Sequence, residues 1–182
     1  MSINMLVGTQ PRPTVHKLLS VPDGALMEIL ASPEEVGDEI CLIRGTLPPG
    51  VAVPLHSHPD LEVFYILNGT AESFQSKGGK SEWTTVGEGA VVVVPGNVKH
   101  AWRNTSSLPA TVVLVTTANM YRFFSEITKP FDPSRRPAAP TPEEMNKLFT
   151  AAARYGFWMA SPEENATIGI TLLINRGQKR SD

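Results

Sequence analysis

One cysteine, Cys41, stands in 182 residues, so no disulfide can form within the chain and a cross-linked framework is excluded. No apolar run approaches the roughly 20 residues needed to span a bilayer. Met1–Val7 lacks the basic segment that precedes the apolar stretch of a secretory leader. These absences set the expectation of a cytoplasmic protein with no membrane partner. Charge of one sign is also missing: 16 Lys and Arg face 18 Asp and Glu. Phosphate recognition needs a concentrated basic surface, so nucleic acid is not an expected partner. The one basic cluster, Arg176–Arg180, reads as a solvated terminus. No internal repeat marks a solenoid. Without secretion, the sequons at Asn104 and Asn165 carry no glycosylation consequence.

What is present is an ordinary globular composition, 41% apolar and 19% charged. Short segments rich in Val, Ile, Leu and Thr occupy Thr14–Val21, Ala25–Leu30, Glu39–Leu47, Leu61–Leu67, Ala90–Val94 and Ala110–Thr117. Turn formers separate them, among them Pro22-Asp-Gly24, Pro48-Pro-Gly50, Lys77-Gly-Gly-Lys80 and Pro95-Gly-Asn97. Strands at this spacing, with no helix between them, predict an all-β sandwich or closed barrel.

After Thr117 the period changes. Met120, Phe123, Phe124 and Ile127 form one apolar helical face. A Pro-rich connector follows at Pro130–Pro140, and then Thr141-Pro-Glu-Glu144 supplies a cap, a first-turn proline and a capping-box glutamate. Met145, Leu148, Phe149 and Ala152 are the expected apolar face of that helix, with Gly156 placed to end it. Ile168–Ile174 reads as a last strand. The organisation expected is N-terminal strands over residues 1–38, a barrel core over 39–118, and C-terminal helices with a final strand over 119–182.

Three of the four histidines fall in two short windows. In the first, His56 and His58 share the parity that points strand side chains to one side, and Glu62 has the same parity. Two imidazoles and a carboxylate form a mixed nitrogen and oxygen site for a borderline divalent ion. His100, after the turn at Pro95-Gly-Asn97, offers a further ligand from a different hairpin. By the same alternation Phe64 and Ile66 accompany Glu62, and Trp102 accompanies His100. Phe64 and Trp102 would thus stand as an aromatic wall beside the metal, suited to a flat or apolar small molecule. His16 is read as an ordinary histidine, Trp83, Tyr155 and Trp158 as core or interface residues, and Cys41 as inert packing.

These windows resemble the cupin superfamily. Its first motif, G-x5-H-x-H-x3-4-E-x6-G, is matched by Gly50, His56, His58, Glu62 and Gly69, and its second by Gly89, Pro95, His100 and Asn104. Asn97 stands where the family has glycine. Asparagine best tolerates a positive φ after glycine, so the turn is expected to be kept. The resemblance implies a double-stranded β-helix (jelly-roll) barrel with a short helical C-terminal extension. It also implies a homodimer, and one divalent ion (Fe, Mn, Ni, Co or Zn) held by His56, His58, Glu62 and His100.

The Phe123-Phe124 helix, the Pro-rich link and Ala153-Arg-Tyr-Gly156 are further similar to quercetin dioxygenase-like bacterial proteins. That similarity implies an oxygenase acting on a small aromatic or enol substrate, with Glu62 doubling as a catalytic base. The alternatives are a non-catalytic small-molecule or sugar binder, and a metal-dependent isomerase, which would need a polar, base-rich pocket.

Overall fold

The computed structural model describes residues 17–77, 80–134 and 140–171. His16, the cluster Arg176–Arg180 and the end of the expected last strand lie outside these residues. Two antiparallel sheets face each other. The seven-stranded sheet has the order β11-β1-β2-β3-β10-β5-β8 and the five-stranded sheet the order β12-β4-β9-β6-β7. The strands of the first are β1 (Leu19–Ser20), β2 (Leu26–Ala31), β3 (Ile40–Leu47), β5 (Glu62–Asn68), β8 (Val91–Val94), β10 (Ala110–Thr117) and β11 (Lys129–Pro130). The second contains β4 (Ala52–Ser57), β6 (Thr70–Lys77), β7 (Lys80–Gly87), β9 (Lys99–Arg103) and β12 (Trp158–Met159). This is the all-β jelly roll with C-terminal helices that the sequence leads one to expect.

Alternation sets the inner faces. Along β5, Glu62, Phe64 and Ile66 are buried while Tyr65 and Leu67 are exposed. The barrel interior joins Ile43, Ile66, Val92, Val94, Trp102 and Leu114 into one apolar cluster. Cys41 is fully buried, and burial pushes its thiol up to about 11, so it is inert packing.

Four helices occur among the described residues: α1 (Pro33–Val36), α2 (Ala118–Ile127), α3 (Pro142–Arg154) and α4 (Pro162–Thr167). The second buries Met120, Phe123 and Ile127, the face expected of it. The third starts at Thr141 with its capping box, and Gly156 follows its end at φ 78°.

Several expectations need correction. A short helix, α1, does separate β2 from β3, and the turn that ends α4 occupies the start of the expected last strand. Ile168 caps α4 and Ile170 N–H donates to Asn165 C=O, so residues 168–171 are no strand. Both missed helices open on the signal read correctly at 141–144: Ser32-Pro-Glu-Glu35 and Ser161-Pro-Glu-Glu164. They escaped notice because neither is long enough to show an apolar period. Phe149 is 51% exposed; α3 turns Ala151 and Ala152 inward instead, because small side chains allow α2 and α3 to approach closely.

The C-terminal segment wraps the outer face of the five-stranded sheet. Leu55, Phe74 and Ala101 pack there against Ile170. Asn165, fully buried, locks the wrap: its Oδ1 accepts from Leu55 N–H at 2.8 Å, and its Nδ2 donates to the carbonyls of Ala160 and Ser161. The β4–β9 ladder is irregular between Val53 and His56, where Pro54 brings no N–H. On the opposite edge of β4, Leu55 C=O accepts from Ala160 N–H just past β12, and the Asn165 amide takes the Leu55 N–H in place of a further strand partner.

Candidate metal centre

Two of the three histidines lie on strands of the five-stranded sheet, and the carboxylate on the other. His56 on β4 stands directly across from His100 on β9, their ring centroids 4.2 Å apart. His58 lies just past the end of β4, its ring 5.0 Å from that of His100. One nitrogen from each of the three lies within 4.8 Å of the others. Glu62, first residue of β5, reaches across the barrel, placing Oε2 3.1 Å from His100 Nε2 and 3.5 Å from His58 Nε2. The turn at Pro59-Asp60 keeps Glu62 inward: Asp60 is buried and accepts from the Thr117 hydroxyl and from Asn119 Nδ2.

Other motif positions build the frame. Asn97 adopts φ 65° and its N–H donates to His58 C=O at 2.6 Å. The positive φ expected of this residue is thus present, and it ties the two motif windows together. A Cβ at Gly96 would lie 2.2 Å from Pro59 O, so only glycine fits. Asn104, 1% exposed, donates to Leu47 and Leu108 carbonyls and accepts from Ser106. Both sequon asparagines are therefore interior, hydrogen-bonded residues.

Ring orientation is fixed from behind. His56 Nδ1–H donates to Pro54 C=O at 2.7 Å and His100 Nδ1–H to Val98 C=O at 2.8 Å. Each bond selects the tautomer whose Nε2 lone pair faces the cluster. Burial, reinforced by His100 and His58, pushes His56 down to about 3, so it is neutral and able to ligate at any physiological pH. Burial also pushes the Glu62 carboxyl up, but the adjacent His100 and His58 outweigh it and hold it well below the usual range. Burial pushes His100 down, and Glu62 beside it reverses the direction.

The donor atoms fit a metal ion. His58 Nε2, Glu62 Oε2 and His100 Nε2 are buried without a hydrogen-bond partner among the described residues, although such atoms are almost always paired. The carboxylate and imidazoles are close enough to bond, yet they are not aligned on one another. Donors set about 2.1 Å from a common centre lie about 3.0–3.4 Å apart along the edges of an octahedron or tetrahedron. The 3.1 and 3.5 Å separations match that spacing.

Phe64 and Trp102 both point inward, buried, with centroids 4.7 Å apart. The centre has a further aromatic neighbour that sequence reasoning missed. Phe157 lies 4.8 Å from the His58 ring and 6.1 Å from that of His56, nearly parallel to the latter. It is held by Phe123 at 4.1 Å and by the pairing of Met159 with His56 and Trp158 with Ser57. A two-residue strand carries no periodicity, so nothing in the sequence signals this contact.

Residues 43–116 match the family described as Cupin domain. No curated protein matches the chain. Among solved structures, a predicted oxalate decarboxylase from Thermotoga maritima is 27% identical, covering 51% of this chain and 79% of its own, with a TM-score of 0.45. A recombinant oxalate oxidase in complex with glycolate is 24% identical over 53% of this chain and 52% of its own, with a TM-score of 0.46. KdgF from Halomonas sp. is 16% identical over 57% and 86%, with a TM-score of 0.47. All three likenesses are confined to little more than half of this chain.

Proposed function

We propose, from the premise that the chain belongs to the cupin superfamily through residues 43–116, that it is a metal-dependent enzyme turning over a small organic substrate. His56, His58, Glu62 and His100 would hold one divalent ion. One nitrogen from each of the three imidazoles within 4.8 Å of the others, with Glu62 Oε2 3.1 Å from His100 Nε2 and 3.5 Å from His58 Nε2, carries this reading. Such an ion supplies Lewis acidity and, with four protein ligands in an octahedral shell, open positions for small molecules. The protein keeps His56 and His100 in the ligating tautomer and the carboxylate ionised. Phe157 and the buried pair Phe64 and Trp102 restrict water around the centre, with the latter two as the proposed substrate wall.

The finer reading is an oxygenase of quercetin dioxygenase type, acting on an aromatic or enol substrate. Glu62 would serve first as a ligand, because the imidazoles that keep it ionised also lower its strength as a base. Oxygen uptake with flavonols and simpler enols, on protein reconstituted with each of Fe, Mn, Ni, Co and Zn, tests this. Turnover with one metal and its loss in His100→Ala is the expected outcome; no uptake with any metal would remove the oxygenase. The homodimer belongs to the same reading. Tyr65, Val91 and Val93, 45%, 61% and 48% exposed, adjoin on the outer face of β5 and β8 as the surface a second copy would cover.

A further inference from the structure

Six buried side-chain polar atoms lack a hydrogen-bond partner among the described residues. Four belong to the metal centre. The other two, Ser73 Oγ and Trp102 Nε1, come from residues that face each other across the β6–β9 ladder and are 4% and 6% exposed. Trp102 follows His100 by two residues on β9, on the same side of the sheet. The next pair along the ladder is His100 with Gln75. Both orphan atoms therefore belong to the inner wall that carries the histidines, about 7 Å along it. An open groove of about 400 Å³ between β7 and β8 reaches this wall, with Ser73, Val86 and Val92 as its buried floor and Glu82 at its exposed rim.

The two atoms restrict what can satisfy them. An indole N–H only donates, while a hydroxyl donates and accepts; a ligand atom meeting both is an acceptor oxygen. Glu82 at the rim disfavours a second negative charge there. A divalent ion with one carboxylate ligand keeps a net positive charge, which favours an anionic oxygen at the metal end.

We propose that Ser73 and Trp102 form a hydrogen-bonding subsite for the neutral carbonyl or hydroxyl oxygen of a small oxo- or hydroxy-carboxylate, anchored by its carboxylate at the metal centre and admitted through the β7–β8 groove. This rests on the metal reading above and not on the oxygenase reading, and it names a substrate class for that site. The test is a calorimetric titration of wild-type protein with Co²⁺, then with 5-oxohexanoate and, separately, hexanoate. These two probes differ only by the distal carbonyl.

Wild-type protein is expected to prefer 5-oxohexanoate by about 5- to 10-fold, the worth of one net hydrogen bond. Ser73→Ala is expected to bring the ratio near one with Co²⁺ affinity unchanged, and Trp102→Phe to lower the ratio likewise. A wild-type ratio near one, or a ratio that survives in both variants, would overturn the subsite. If Co²⁺ does not bind, the metal reading falls and the subsite falls with it; tight Co²⁺ binding without discrimination sinks the subsite alone.

Discussion

The two sheets of the barrel are treated differently by the rest of the chain. The five-stranded sheet carries two of the three imidazoles on its strands, with the third just past the end of β4, and its outer face is sealed by residues 160–170 through Ile170 and the buried amide of Asn165. The seven-stranded sheet contributes the carboxylate of Glu62, and leaves Tyr65, Val91 and Val93 open to solvent. Ligand strands β4 and β9 are thus braced from behind, whereas β5 and β8 are not. A site that must hold three rings at fixed angles gains from a rigid wall, while a single carboxylate tolerates a freer one. The C-terminal extension thus packs directly behind the strands that carry the histidine cluster.

The largest test of this contrast is metal loading. Saturating one divalent ion at about 100 times Kd should stabilise the protein by about 2.7 kcal/mol, a rise of about 5–10 °C in melting temperature. His100→Ala should remove most of that rise in differential scanning calorimetry; an unchanged rise would place the ion elsewhere. Next comes the brace. Asn165→Leu strands the Leu55 N–H and should cost about 2 kcal/mol in urea unfolding, and metal affinity should fall with it. Retained affinity would show that the wall does not need its backing.

Phe157→Ala should cost about 1–2 kcal/mol, since the ring is only half-buried, and should speed exchange of exogenous azide at the loaded centre. On the uncovered sheet, Val91→Glu should change monomer stability by less than about 0.5 kcal/mol while shifting sedimentation from dimer to monomer. A wild-type monomer would refute the homodimer.

Farthest from the contrast between the sheets is an effect in the turn between β1 and β2. Burial pushes Asp23 up to about 6, against 3.8 for the free group. The folded state then binds its proton more tightly, so this stabilisation is complete below about pH 4 and is lost as pH rises through 6. Asp23 Oδ1 accepts from Ala25 N–H, a bond an amide oxygen retains. Asp23→Asn should therefore leave stability at pH 4 unchanged and raise it at pH 7 by about 1 kcal/mol, discounted because the group is only half-buried.

Much of the site was legible in the chain. His56, His58, Glu62 and His100 are polar residues at fixed spacing inside apolar, turn-bounded segments, and alternation alone put Phe64 with Glu62 and Trp102 with His100. The positive φ at Asn97 followed from residue chemistry. Less legible were β6 and β7, where polar Ser73, Gln75, Glu82 and Thr84 face inward and Phe74 and Trp83 outward, and the capped helices α1 and α4, too short for an apolar face. Local pattern has a range of a few residues, and these elements exceed or fall short of it.

By itself, then, the sequence determined the alternation within strands, the caps, the turns and the identity of the four donors. Tertiary structure decided which sheet each donor sits on and that Glu62 meets His100 across the barrel. It alone laid Phe157 against the histidines and put Asn165 behind β4. The physical reason is distance along the chain. Phe157 and His58, like Asn165 and Leu55, meet only after the whole barrel has closed between them, and no local periodicity encodes such a contact.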